Sequence, residues 1–159
     1  MFMQMARAAA TRATCYRLNV GAVLASRHDH NVVAVGYNGA PSGQPHCTGG
    51  GCRYFTSNGC KVVHAEINAL RRGVVDSALA HTVGSLALYV THSPCQSCAE
   101  AIIFHRSIGE VYFEIPYRDP APIQHLLRSV GRPTPVRVWQ LLPSGLAVDQ
   151  STGQLVELT

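Results

Sequence analysis

Two short motifs in this sequence have to meet at one point in space, and that requirement restricts the fold more than any other feature. The first is an H-x-E triplet from His64 to Glu66, and the second is a P-C-x-x-C segment whose thiols are Cys95 and Cys98. One imidazole and two thiolates are donors that zinc prefers, and a set of three protein ligands leaves the fourth tetrahedral position open to water. The two motifs together predict a catalytic zinc site rather than a closed structural one.

Both motifs are expected at the start of a helix. Apolar residues recur at helical spacing after His64, so Glu66 lies within one turn of that ligand and can lean over the metal without binding it. Pro94 is favoured in the first turn of a helix, which predicts a second helix over residues 95–106. Since a helix N-terminus favours thiolate, two helix N-termini are predicted to converge on one cation.

Glu66 is the candidate proton carrier of this site. Zinc lowers the pKa of bound water from about 15.7 to roughly 7, and a nearby carboxylate can deliver the proton first to a ring nitrogen and then to a departing amine. The motif pair is typical of zinc-dependent nucleobase deaminases, in which the glutamate is not a zinc ligand. The alternative is a zinc knuckle that only connects loops, and the absence of an evident fourth protein ligand nearby favours the catalytic interpretation.

The composition indicates one folded domain that spans residues 1–159. The hydrophobic fraction is 47% and the charged fraction is 14%, as in a globular chain with a sizeable core. No apolar run reaches the length of a membrane span and no signal peptide is recognisable, so we expect no membrane association. Zinc-bound thiolates are more natural in a reducing compartment, which predicts a cytoplasmic location.

Helices and strands alternate along the chain, which predicts an α/β fold: a three-layer α/β/α sandwich around a five-stranded mixed sheet. The sheet is mixed because its first two strands are predicted to form an antiparallel hairpin. The tail, residues 143–159, is predicted to be a short extension or a hairpin. The expected strands cover residues 20–26, 32–37, 85–91, 110–115 and 136–141, and the expected helices cover residues 2–14, 64–72, 95–106 and 121–130.

Three segments resemble the deoxycytidylate (dCMP) deaminase family, and the resemblance covers roughly residues 5–115. They are G-Y-N-G-A-P starting at Gly36, H-A-E-I-N-A starting at His64, and S-P-C-Q-S-C-A starting at Ser93. The G-Y-N-G-x-P element is the specific part, since other deaminases share the zinc motifs. The resemblance implies a cytidine deaminase-like fold and zinc-dependent hydrolysis of dCMP to dUMP and ammonia, on the route to thymidylate.

The same resemblance implies further site residues. Asn38 is the family position that contacts the nucleotide sugar, where its amide offers both a donor and an acceptor; the alternative is a turn asparagine. Ala65 and Ser93 are implied as further substrate contacts. Tyr117 is a candidate for stacking on the base, with a half-buried loop tyrosine as the alternative. Candidates for pairing with a phosphate, although most arginines are simply solvated, are Arg53, Arg106 and Arg118.

The remaining cysteines form a second candidate metal site. Several members of the family carry an additional structural zinc, with ligands from the end of the first helix and from the segment after G-Y-N-G. The other interpretation is that some of these thiols are small buried hydrophobes. Residues 46–52 form a more compact insert than in some relatives, which leaves the ligand set open. The matching residues are Cys15, Cys47, Cys52 and Cys60, with His46 as a possible replacement for one thiolate.

The resemblance also implies assembly and control by nucleotides. Relatives are commonly hexameric homo-oligomers that are activated by dCTP and inhibited by dTTP, with Mg²⁺ accompanying the triphosphate. Candidate positions for such an effector are Gly36, Tyr37 and Gly39.

Three other functions stay open. A bifunctional enzyme that also deaminates dCTP would carry identical catalytic motifs. A polynucleotide-editing deaminase would need a continuous basic surface with aromatic platforms, whereas the 13 basic residues are scattered and Trp139 is the single tryptophan, so no nucleic acid is expected as a partner. Scattered arginine suits a small phosphorylated substrate. A non-enzymatic zinc module would make Glu66 dispensable, which the H-x-E spacing argues against.

Overall fold

A computed structural model describes residues 1–47, 54–56, 59–60, 62–76, 82–129 and 135–157. The helices are α1 (Phe2–Ala10), α2 (Ala65–Asp76), α3 (Gln96–Phe104) and α4 (Ala121–Arg128). The strands are β1 (Gly21–Ser26), β2 (Val32–Tyr37), β3 (Phe55–Thr56), β4 (Gly59–Cys60), β5 (Leu86–His92), β6 (Ile108–Ile115), β7 (Arg137–Leu141), β8 (Leu146–Asp149) and β9 (Leu155–Glu157).

A mixed sheet with the strand order β2-β1-β5-β6-β7-β8-β9 runs through the middle of the fold. The β5–β6 and β6–β7 pairs are parallel, and the pairs at both ends of the sheet are antiparallel. The expectation of five strands was wrong, because β8 and β9 add to the edge of β7. The turns that allow this contain Gly145 and Gly153, both with positive φ, where glycine carries no steric cost.

Helices cover both faces of the sheet, which confirms the predicted α/β/α sandwich. Residues of one strand alternate between the two faces, so Val23 packs with α1 while the adjacent Leu24 packs with α2 and α3. The larger apolar cluster, between the sheet and α2, α3 and α4, contains fully buried residues such as Leu88, Ile102 and Phe113. Within the described ranges, no helix is long and apolar enough to cross a bilayer.

Each of the four predicted helices differs from the structure in at least one boundary, and the second runs over Ala65–Asp76 rather than over residues 64–72. The first helix ends at Ala10 rather than at residue 14, since the chain then turns and the Thr14 amide donates to the Asn38 carbonyl at 3.1 Å. The third helix begins at Gln96, with Cys95 as its N-cap, so Pro94 precedes the helix instead of lying in its first turn. The fourth ends at Arg128 rather than at residue 130, because the next residue is left-handed.

Two neighbouring parallel strands end at the same edge of the sheet, and this edge organises the site. β5 leads through residues 93–95 into α3, and the Ser93 amide donates to the carbonyl of Ile115, the last residue of β6, at 2.9 Å. β1 runs antiparallel to β5, so the start of β1 at Gly21 also lies at this edge. Crevices outside the carboxyl ends of parallel strands are the usual ligand sites of such sheets.

Candidate active site

The side chains of His64, Cys95 and Cys98 come together at this edge. The His64 Nδ1 atom lies 3.4 Å from the Cys95 Sγ atom and 3.3 Å from the Cys98 Sγ atom, and the three ligand atoms all lie within 4.8 Å of one another. Bonds of about 2.3 Å to sulfur and about 2.0 Å to nitrogen place tetrahedral ligands of zinc about 3.6 Å apart. The donor set and its spacing fit a zinc ion.

Two helix N-termini bring these ligands together. His64 immediately precedes α2 and its carbonyl accepts a hydrogen bond from the Asn68 amide at 3.0 Å, which closes the first helical turn. Cys95 caps α3 in extended conformation, and its carbonyl accepts from the Ala99 amide at 2.9 Å. Cys98 lies in the first turn of α3 and is fully buried. Helix N-termini carry positive partial charge, so the N-terminus of α3 favours the thiolate form of Cys95, its N-cap residue.

The thiols of Cys95 and Cys98 shift each other's pKa in opposite directions. A hydrogen bond from Cys98 lowers the pKa of Cys95 to about 3, with further help from His64 and Ser97. Donation to Cys95, together with burial, raises the pKa of Cys98 far above its usual value. A cation that binds both sulfurs therefore displaces the proton held between them.

Glu66 lies beside the cluster and is 4% exposed. Burial is the main reason that its pKa is raised, to about 7, while its own backbone hydrogen bond and the nearby His64 oppose the shift. A carboxyl group with a pKa near neutrality can both accept and release a proton at neutral pH.

A cavity of about 500 Å³ opens over this cluster, which is a volume typical of sites for small organic ligands. Four residues proposed from sequence as substrate contacts line it together with His64 and Cys95: Asn38, Ala65, Ser93 and Tyr117. Arg118 lines it as well, whereas Arg106 lies outside its lining. Arg53 lies outside the described residues.

Asn38 is 5% exposed and both ends of its side-chain amide are engaged by the protein. The Oδ1 atom accepts a hydrogen bond from the Val20 amide at 2.8 Å, and the Nδ2 atom donates to the Leu18 carbonyl at 2.7 Å. Asn38 therefore ties the end of β2 to the segment that leads into β1. One lone pair and one N–H of the amide are left for other partners.

Ser93 and Tyr117 are joined by a hydrogen bond. The Tyr117 amide donates to the Ser93 Oγ atom at 2.7 Å, and Ser93 itself is 6% exposed. Tyr117 is 52% exposed and lines the cavity, so its ring has room to meet a ligand. Ala65 is fully buried at the first position of α2.

The three positions suggested for an effector connect β2 to α2. Gly36 packs directly on the backbone of α2, and the Tyr37 carbonyl accepts a hydrogen bond from the Asn68 Nδ2 atom at 2.8 Å. Gly39 and Val63 exchange two backbone hydrogen bonds of 3.0 and 2.8 Å. These contacts set the position of the segment that carries His64.

The candidates for a second metal site are only partly described. Cys15 is buried and lines the cavity, while His46 is exposed and Cys47 half-buried. Cys52 and the side chain of Cys60 lie outside the described residues. In the described part of the chain, one group of three or more potential ligands is close enough to hold a metal ion, and it is the His64 cluster.

Sequence reasoning did not assign Arg17 and His92 to the site, yet both line the cavity. His92 is the last residue of β5, and burial lowers its pKa. Arg17 lies in the loop before β1. The strand arrangement could have indicated Arg17. β1 runs antiparallel to β5, so the loop that precedes β1 lies beside the carboxyl end of β5.

Comparison with known proteins gives a consistent family match. The family model described as "Cytidine and deoxycytidylate deaminase zinc-binding region" matches residues 1–115. ComE operon protein 2 of Bacillus subtilis is 34% identical over 130 residues, which are 82% of this chain and 66% of that protein. Deoxycytidylate deaminase of Schizosaccharomyces pombe is 32% identical over 150 residues, which are 89% of this chain and 43% of that protein. The chain thus spans less than two thirds of both relatives.

A solved structure with the same fold is that of dCMP deaminase from the cyanophage S-TIM5 in complex with dCMP and dUMP. It is 29% identical in sequence and superposes with a TM-score of 0.65. The match covers 82% of this chain and 90% of the phage protein.

Proposed function

We propose, since the chain belongs to the cytidine and deoxycytidylate deaminase family, that it catalyses the zinc-dependent hydrolysis of dCMP to dUMP and ammonia. The observation that carries this proposal is the His64, Cys95 and Cys98 cluster, with the buried Glu66 beside it in a cavity of about 500 Å³. Support for the substrate comes from a relative named deoxycytidylate deaminase and from the phage enzyme that was solved with dCMP and dUMP.

In this proposal, His64, Cys95 and Cys98 would hold the zinc ion, which would supply the Lewis acidity that activates water. Glu66 takes one proton from the attacking water and passes it to the ring nitrogen next to the carbon that bears the amino group. It then carries the second proton of that water to the departing amine. The carbon–nitrogen bond breaks, ammonia leaves and the carbonyl of dUMP forms, so all atoms of the added water are accounted for.

The proposed ligand contacts follow from the cavity lining. The base points towards Glu66, and the exposed ring of Tyr117 stacks on it. The unused lone pair and N–H of the Asn38 amide serve a sugar hydroxyl. Ala65 and Ser93 border the base from the first position of α2 and from the end of β5.

We further propose the finer features that the family resemblance implies. The chain forms one domain over residues 1–159, works in the cytoplasm as a hexamer, and supplies dUMP for thymidylate. dCTP and dTTP, accompanied by Mg²⁺, control it through the region of Gly36, Tyr37 and Gly39. A second, structural zinc is held by ligands drawn from Cys15, His46, Cys47, Cys52 and Cys60.

A second candidate function is deamination of dCTP in addition to dCMP. It is favoured by the presence of two arginines, Arg17 and Arg118, in the lining of the cavity, since a triphosphate needs more positive charge than a monophosphate.

Ammonia release from zinc-loaded protein tests these proposals when cytidine, dCMP, dCTP and single-stranded DNA are offered separately. Each substrate is assayed with and without Mg²⁺ and added dCTP or dTTP. Turnover of dCMP alone is the expected result, and turnover of dCTP as well would establish the bifunctional alternative. Turnover of DNA alone, or of none of the four, would contradict the proposed function.

A further inference from the structure

A second cavity, of about 540 Å³, lies on the face of the sheet that α1 covers. Among the described residues, its lining has no member in common with the lining of the cavity over the His64 cluster. α1 packs on β1, β2 and β5, whereas α2, α3 and α4 contribute to the apolar cluster on the opposite face. The second cavity therefore forms beside α1, over β6 and β7. Its volume lies in the range of sites for small organic ligands.

Aromatic side chains form one wall of the second cavity. Tyr89, Tyr112 and Trp139 lie opposite one another on β5, β6 and β7. The two tyrosine rings are stacked, with centroids 4.6 Å apart and 6° between their planes, and the Trp139 ring follows 6.4 Å from that of Tyr112. In the described part of the chain, the Trp139 Nε1–H is the one buried side-chain nitrogen or oxygen without a hydrogen-bond partner. A buried indole N–H normally has an acceptor, so this wall contains an unused donor.

The second cavity is polar near the start of β6 and β7. Arg27 and Arg137 approach the same oxygen of Glu110, at nitrogen–oxygen distances of 3.0 and 3.4 Å, and the other oxygen accepts from the Tyr112 hydroxyl at 2.9 Å. The carboxylate that these donors share belongs to a buried residue, which is 8% exposed. Because a guanidinium stays protonated at any working pH, two positive charges face one negative charge at this end.

The opposite end of the second cavity is apolar. Leu141 ends β7, and the pairing of β7, β8 and β9 places Val156 level with it and Glu157 one step further. Strands rise about 3.3 Å per residue, so Glu157 lies about 15 Å from Arg137 along the strand direction. This separation exceeds the screening length of about 8 Å at physiological salt, and Glu157 is exposed. Glu157 therefore leaves the excess positive charge of the polar end uncompensated.

From this arrangement we infer that the second cavity binds a small molecule with an apolar body and one anionic head group of the carboxylate type. The body packs between the aromatic wall and the side chains of Leu141 and Val156. The head group pairs with Arg137, whose side chain is 58% exposed and lies over the Trp139 ring, with 4.8 Å from Cζ to the ring centroid. Its contact with Glu110 leaves further N–H donors of the planar guanidinium for a second anion. This site goes beyond the proposed deamination and does not depend on it.

The fluorescence of Trp139 tests the inference, because Trp139 is the single tryptophan of the chain and lines the second cavity. Decanoate is the probe, and decanol is its control because it has an alkyl chain of the same length and no charge. We expect a saturable change in tryptophan emission with decanoate and at least about tenfold weaker binding of decanol, as for a lost hydrogen bond to a charged group. Equal affinities for the two compounds, or no saturable change with decanoate, would overturn the inference.

Two variants locate the bound probe. Arg137→Gln is expected to weaken decanoate binding by about tenfold to hundredfold. Arg118→Gln is the matched control and should bind decanoate like wild-type protein, since Arg118 is an exposed arginine in the lining of the other cavity. Wild-type affinity in Arg137→Gln, or equal weakening in both variants, would contradict the assignment.

Val156→Phe is a second test of the same site that leaves the ion pairs of Glu110 in place. The larger side chain fills the apolar end of the second cavity, so decanoate binding should be lost while the melting temperature shows that the variant is folded. This variant also decides the question if Arg137→Gln does not fold. Unchanged decanoate binding by folded Val156→Phe would place the probe elsewhere and overturn the inference.

Discussion

Gly36 of β2 lies so close to Ala65 of α2 that a Cβ atom at position 36 would be 2.2 Å from the Ala65 carbonyl oxygen. The same Cβ atom would be 2.6 Å from the amide nitrogen of Ala69. Both neighbours are backbone atoms, which cannot move aside without shifting the strand or the helix. Since α2 begins directly after His64 and carries Glu66, this contact sets how far the site lies from the sheet.

Gly36→Ala is therefore expected to destabilise the protein by about 2 kcal/mol or more, as overpacking against a rigid neighbour does. Urea denaturation measures this change. Gly73→Ala is the matched control, because the added Cβ atom would meet the flexible end of the Leu24 side chain, and alanine favours the helix. Equal stabilities of the two variants would show that β2 and α2 separate at little cost.

Glu66→Gln tests the proposed proton transfer. Glutamine has nearly the same shape but cannot carry a proton, so kcat for dCMP is expected to fall by about 100-fold to 10,000-fold. Zinc content should stay at the wild-type level, since Glu66 is not among the three clustered ligands. Retained turnover in this variant would contradict the mechanism.

The same variant reports on the burial of Glu66 in metal-free protein. The pKa of Glu66 is raised from 4.5 to about 7 in the folded state, so the unfolded chain releases this proton first as pH rises. The free energy of unfolding of wild-type protein, relative to that of Glu66→Gln, therefore falls by up to about 3 kcal/mol as the pH rises between these two values. Above them the difference between the two proteins stays constant. Urea denaturation at pH 5 and pH 7.5, with a chelator and a reductant, measures the difference. A difference that is unchanged between the two pH values would show that the carboxyl group is solvated.

Metal analysis tests the two proposed zinc sites separately. Wild-type protein is expected to bind two zinc ions per chain, Cys98→Ser to lose the catalytic ion, and Cys15→Ser to lose the structural one. Only Cys98→Ser should then lose dCMP turnover completely. One zinc ion in both wild-type and Cys15→Ser protein would mean that Cys15 is a buried thiol of the cavity wall.

The layer architecture and most elements could be predicted because they follow from local periodicity. The strand count was wrong since β8 and β9 are short, and their assignment depends on pairing with the edge of β7. The end of α1 was misplaced because Thr14 hydrogen-bonds to the distant Asn38. Such long-range partners carry no local signal.

The sequence by itself determined the chemistry of the site, because a ligand set and a proton carrier are properties of residue types at short spacing. His64 with Glu66, and Cys95 with Cys98, are each separated by less than one helical turn. The tertiary structure decided which further residues, such as Arg17 and His92, join that chemistry in the cavity lining. Arg17 reaches the cavity because β1 runs antiparallel to β5 and Asn38 holds its loop, and both conditions depend on hydrogen bonds between residues far apart in the chain.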